Sequence, residues 1–170
     1  MAPPLVRACA REGDDVRAVE LLLGQGHAGR LEESAAGGGL TALMAACKQG
    51  NFSCVERLLH AGAHADAVDD KGFTPLLWAC RYKHAACVEL LLRAKAALEL
   101  SPPSGQTALL VACQVGSHEC TQALLRAKAA VDASSAKGFT PLMLACCDAR
   151  CPTGAGGTTS TRRWRPAART

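Results

Sequence analysis

Gly72-Phe73-Thr74-Pro75-Leu76-Leu77-Trp78-Ala79-Cys80, followed after a break near Lys83-His84 by Val88-Glu89-Leu90-Leu91-Leu92, is the stretch whose reading decides the fold. Glycine stands where a tight turn needs a residue that accepts positive φ without a Cβ clash. Threonine is a good helix N-cap, because its hydroxyl accepts a bond from an amide that has no partner inside the helix. Proline follows, where its fixed φ suits the first helical turn. These cues predict a short helix over roughly residues 74–81. A second is expected over roughly 85–93, with Val88, Leu91 and Leu92 on one face at helical spacing. Neither helix is long enough to be stable alone, so the pair must bury its apolar face against a neighbour.

Copies of the same pattern supply the neighbours. Gly39, Gly72, Gly105 and Gly138 lie 33 residues apart, and Thr41, Thr74, Thr107 and Thr140 keep the same period. So do Leu43, Leu76, Leu109 and Leu142, then Ala46, Ala79, Ala112 and Ala145, and further on Leu58-Leu59, Leu91-Leu92 and Leu124-Leu125. Period, turn glycine, Thr-Pro-Leu and paired leucines together make the chain resemble the ankyrin repeat family over about residues 5–148. The resemblance implies an all-α solenoid of helix-turn-helix units, with turns projecting to one side and a concave groove lined by turns and inner helices. It divides the chain into a degenerate N-terminal capping unit and loop (1–37, with Val19-Glu20-Leu21-Leu22-Leu23 as second helix), units at 38–70, 71–103 and 104–136, and a half-unit at 137–149. A basic tail at 150–170, rich in Gly and Thr, cannot bury apolar area and is expected to be disordered.

The chain departs from the family pattern at three places. Met44, Leu77, Leu110 and Met143 stand where the family usually has a histidine that ties turns together, so this stack is expected to lean more on apolar contact. The glycine that ends the second helix survives as Gly62 but becomes Lys95 and Lys128, and a lysine held in the left-handed region costs on the order of 1–2 kcal/mol. The half-unit ends on an apolar helix with no partner helix in sequence. Solenoid ends normally need a polar cap, so either the chain belongs to a longer array, the favoured reading, or something covers that face.

Composition agrees with helical packing. The 170 residues are 49% hydrophobic but only 4% aromatic, a small-residue-rich set suited to closely packed helices. No run approaches eighteen consecutive apolar residues, and the N-terminus lacks the apolar segment of a secretory signal, so a soluble chain of the cytoplasm or nucleus is expected. Net charge is +4, yet residues 149–170 hold five arginines and no acid, which leaves −1 on the other 148. The basic balance belongs to the tail. Arg162-Arg163-Trp164-Arg165-Pro166 mixes charge with an aromatic ring and could engage nucleic acid, an acidic surface or an import receptor, against the plainer reading of a solvated end.

Nothing in the sequence calls for catalysis, a cofactor or a metal. Of ten cysteines, Cys47, Cys80, Cys113 and Cys146 share one repeat column and Cys54, Cys87 and Cys120 another, so they read as small buried hydrophobes. Cys146, Cys147 and Cys151 lack the two-residue spacing of common zinc sites, and Cys9 is left unassigned. Gly24-Gln25-Gly26-His27-Ala28-Gly29 has the spacing of a dinucleotide fingerprint but follows a helical leucine run instead of a strand, and reads as a helix-ending turn. Asn51-Phe52-Ser53 spells a glycosylation sequon that stays bare without secretion. His27, His60, His64, His84 and His118 show no ligand spacing, and His84 matches a structural histidine of the family.

The expected function is therefore a non-catalytic scaffold, a monomer that binds another protein or peptide in its groove. The resemblance puts turn positions Leu40, Asp70, Lys71, Gln106, Lys137 and Phe139 and inner-helix ends Lys48, Gln49 and Gln114 along that groove. Phe73, Arg81 and Tyr82 of one central unit are the sharpest candidates, because aromatic residues and arginine are enriched in interface hot spots. Against this, Phe73 could merely pack on the next turn. Two other readings are a recruiting fragment of a larger enzyme or channel, and association with nucleic acid or an acidic surface through Arg162, Arg163 and Arg165.

Overall fold

A computed structural model describes residues 3–10, 16–24, 31–34 and 38–149. Among these residues the chain forms nine helices and no strand. Helices α1 (Pro4–Cys9) and α2 (Val16–Gly24) make the first pair, α3 (Ala42–Gln49) and α4 (Phe52–His60) the second, α5 (Pro75–Arg81) and α6 (Ala85–Arg93) the third. α7 (Ala108–Gln114) and α8 (His118–Arg126) make the fourth, and α9 (Pro141–Ala149) stands alone. The inner helices α1, α3, α5, α7 and α9 pack in one row, each on the next, and α2, α4, α6 and α8 in a second. The tail at 150–170, with Cys151, Arg162, Arg163 and Arg165, and the stretch 25–30 with His27 lie outside the described residues.

The helices start where the sequence says they should. Thr41, Thr74 and Thr140 accept from the amides of Met44, Leu77 and Met143 at 3.4, 3.2 and 3.4 Å. Thr107 departs: its hydroxyl is buried without a partner, so α7 begins without that bond. Ala46, Ala79 and Ala112 are fully buried and let the inner helices approach, and Met44, Leu77 and Leu110 fill the positions of the absent histidines as core residues. Leu58, Leu91 and Leu124 lie fully buried in the same continuous core.

Three of the four turn glycines serve two ends. Gly39, Gly72, Gly105 and Gly138 have φ of 64°, 78°, 68° and 76°, and the first three also lie against the next turn. A Cβ on Gly39 would come within 2.7 Å of the Asp70 amide nitrogen, on Gly72 within 3.0 Å of Pro102, and on Gly105 within 2.9 Å of the Ala136 nitrogen. Backbone bonds run between tips as well: the Asp70 N–H donates to the Gly38 carbonyl at 3.4 Å, and Ala136 donates to Ser104 at 2.9 Å. The matching position of the intervening turn is Pro103, which has no N–H to give.

Polar links between units supplement the apolar contact expected from the sequence. Glu32, Asp66 and Glu99 accept from the backbone amides of His64, Ala97 and Ala130, each at 2.8 Å, so a carboxylate of one unit binds the backbone of the next three times over. On the groove side, Asn51 donates to the Cys9 carbonyl at 3.4 Å, and His84 Nε2 donates to Lys48 O at 3.2 Å. The His84 ring occupies space that Gly50 leaves open, since a Cβ there would lie 2.4 Å from the ring. One unit on, Lys83 replaces glycine in that column and Ser117 replaces histidine, a small side chain where the space is already taken.

The cysteines are core. Cys47, Cys80, Cys54, Cys87 and Cys120 are fully buried, Cys113 is buried beside them, and Cys9 joins the array as a fully buried member. Burial pushes the Cys9 thiol up to about 12, with the neighbouring Cys54 adding to it. The packing reading fails at Cys146, which is exposed, because no described helix pairs with α9 to cover it. For the same reason Leu142 and Met143 are 73% and 54% exposed.

Candidate functional site

The groove's distinctive feature is built from one turn and the helix it starts. Asp69 is buried at the base of that turn, where its Oδ1 accepts from the amides of Lys71 and Phe73 at 2.9 and 2.8 Å. Its Oδ2 accepts from the indole Nε1 of Trp78 at 3.2 Å, which fixes the tryptophan to the turn. Trp78 and Tyr82 are four residues apart and so share a helix face. Phe73 lies 5.4 Å from Trp78, Trp78 lies 6.0 Å from Tyr82 at an interplanar angle of 22°, and Tyr82 lies 6.4 Å from His84 at 9°, all centroid to centroid. Four rings thus run as a continuous ledge from turn tip to the start of the outer helix.

Two cations sit on this ledge. The Lys48 ammonium, from the end of α3, is 5.5 Å from the Trp78 centroid and 5.9 Å from that of Tyr82. The Arg81 guanidinium is 5.9 Å from the Phe73 centroid. Such contacts contribute roughly 0.5–1 kcal/mol at exposed sites, enough to orient a side chain without neutralising it. Tyr82 remains 43% exposed, and Arg81 is exposed.

The structure therefore brings Lys48, Phe73, Arg81 and Tyr82 together. It gathers a second set along the next two units: Gln106, Gln114, Lys137 and Phe139 line a hollow of about 440 Å³, floored by Leu110 and Leu144. Gln106 Nε2 donates to Gln114 Oε1 at 3.1 Å across its wall. The remaining candidates stand apart from both. Gln49 donates to the Ala10 carbonyl at 3.1 Å and so bridges units. Leu40 is half-buried against the core, Asp70 packs on Gly39, and the exposed Lys71 lies at the turn tip. Phe73 turns out to be both things at once, a half-buried packing residue and one end of the ledge.

Sequence reasoning missed Trp78 and Asp69. A signal for Trp78 was available: its column holds Ala45, Val111 and Leu144 in the other units, so one large ring among smaller apolar residues is out of scale with a pure packing role. Asp69 is harder to see, although Ser135 in the equivalent position caps the Phe139 amide in the same way at 3.2 Å.

Among the described residues no group of three or more His, Cys, Asp or Glu side chains is placed to hold a metal ion. No described helix is long and apolar enough to cross a membrane. A family model described as ankyrin repeats (3 copies) matches residues 5–102 and 95–152. Comparison with curated proteins returns no match.

Proposed function

Because the chain belongs to the ankyrin repeat family, whose repeats are generally protein-protein interaction modules, we propose that it is a non-catalytic binding module that seats a partner protein or peptide on the ledge of Phe73, Trp78 and Tyr82. The observation that supports this is the placement of those rings. They occupy the central turn and helix of the groove, are partly open to solvent, and carry Lys48 and Arg81 on their faces. Residues of these kinds form the desolvated centre of an interface, and a few of them carry most of its energy.

The test is the triple variant Phe73→Ala, Arg81→Ala, Tyr82→Ala. Beside the wild-type chain in affinity capture, with bound proteins identified by mass spectrometry, it should lose its specific partners while its helical circular dichroism stays unchanged. Full retention of those partners would place the binding surface elsewhere.

A further inference from the structure

We propose that the occupant of the groove is an acidic, extended peptide segment that sets its carboxylates on Lys48 and Arg81 and one apolar side chain in the hollow between Leu110, Phe139 and Leu144. This rests on the groove reading above and gives that partner its chemistry. Three features of this chain carry it.

The first is charge. Lys48, Arg81 and Lys71 belong to the ledge and its turn tip, and Lys137 to the wall of the hollow. Asp69 is already engaged by two amides and an indole, which leaves Asp70 as the exposed carboxylate of these turns. Among the described residues Lys48 and Arg81 are held over rings instead of in ion pairs, which leaves both cations open to a partner's carboxylates. Complementary charge steers encounter and fixes register.

The second is the hollow. At about 440 Å³ it has room for a large side chain, and Leu110, Phe139 and Leu144 give it apolar walls. The third is the amide pair above it. Gln106 and Gln114 use one N–H and one carbonyl on each other, and keep both donor and acceptor groups for an incoming chain. A peptide backbone offers both kinds of group in return.

Geometry sets the spacing. Neighbouring inner helices lie about 8–10 Å apart, and two such steps separate the ledge, at α3 and α5, from the hollow, at α7 and α9. An extended chain advances roughly 3.3 Å per residue, so about six residues should separate the acidic cluster from the apolar anchor.

The experiment is selection of phage-displayed random dodecapeptides on the full chain, followed by fluorescence anisotropy of the enriched peptides. The expected winners carry net negative charge and one large apolar residue about six positions from the acids. Replacing their Glu by Gln, or Lys48→Ala in the protein, should weaken binding about tenfold, and the loss should shrink at high salt. Gln114→Ala, an exposed change that leaves the core intact, should weaken binding without changing its salt dependence. Enriched peptides that are neutral or basic, yet still need Phe73, Arg81 and Tyr82, overturn the acidic inference and leave the groove reading standing. Peptides indifferent to the triple variant overturn both. Failure to enrich any peptide, or a dT20 oligonucleotide binding with loss at Lys48→Ala and Arg81→Ala, overturns the peptide in favour of no ligand or of nucleic acid.

Discussion

Lys83, Lys95 and Lys128 hold φ of 64°, 61° and 65°, a region in which a side chain clashes with its own backbone. Lys95 is exposed, and the backbone bond that closes its turn, from its N–H to Leu92 O at 3.1 Å, is one that glycine also makes. Lys95→Gly should therefore remove strain and lose no contact, with part of the gain offset by the entropy of a freer unfolded chain. A net stabilisation of about 1 kcal/mol corresponds to a rise of roughly 2–4 °C for a chain of this size, measurable by thermal circular dichroism. No change, or a fall, would mean the loop relaxes differently. These two sites were readable in sequence because Gly62 shows what the column wants. Lys83 was less legible, because its column partners Gly50 and Gly116 share its positive φ between the two helices of a unit, and the fit of the His84 ring against Gly50 appears only in three dimensions.

The element that most shapes the site is the turn from Asp69 to Phe73 together with α5. Asp69 organises it through three bonds, so Asp69→Asn and Asp69→Ala separate their worth. Asn still accepts from Lys71 and Phe73 but loses the second carboxylate oxygen, and should cost about 1 kcal/mol. Ala leaves all three donors unpaired and should cost about 3 kcal/mol. In a Trp164→Phe background the emission of Trp78 should shift on Asp69→Ala, because the indole loses its tether. An unshifted spectrum would show that stacking on Phe73 and Tyr82 holds the ring without help. Here the sequence was only half legible. Thr74, Pro75 and the leucines announce the helix from local rules alone. The role of Asp69, nine residues before the indole it binds, depends on which way a turn folds back over a helix face, and periodicity does not encode that.

At the scale of the molecule, the period of 33 carried the architecture, since each glycine, threonine and leucine column forces the same local structure in every unit. The site was less visible because it lives in departures from that period, such as Trp78 in a column of smaller residues, Gln106 in the column of Leu40, Phe73 and Phe139, and Gln114 in that of Lys48 and Arg81. The cysteines test the shared core. The thiols of Cys9 and Cys47 are raised above the ordinary value of 9.0, mainly by burial, and that of Cys80 by its bond with Cys120 and then by burial. A thiol whose folded value is raised leaves stability unaffected below about pH 9 and removes it as pH climbs towards the folded value, because only the unfolded chain releases the proton. Stability to urea should thus fall as pH rises above about 9 towards the raised folded values, and Cys47→Ala should flatten that fall. An identical slope in the variant would mean that other groups govern alkaline unfolding. One detail of the tips has a mechanical reading. Gly38 and Ser104 each grip the following tip through a backbone bond, whereas Pro102-Pro103 rests on Gly72 by contact alone. The row is riveted at its first and last joints and merely abutted at the middle one, so the span between ledge and hollow is expected to be the dimension that gives when a ligand of slightly different length arrives.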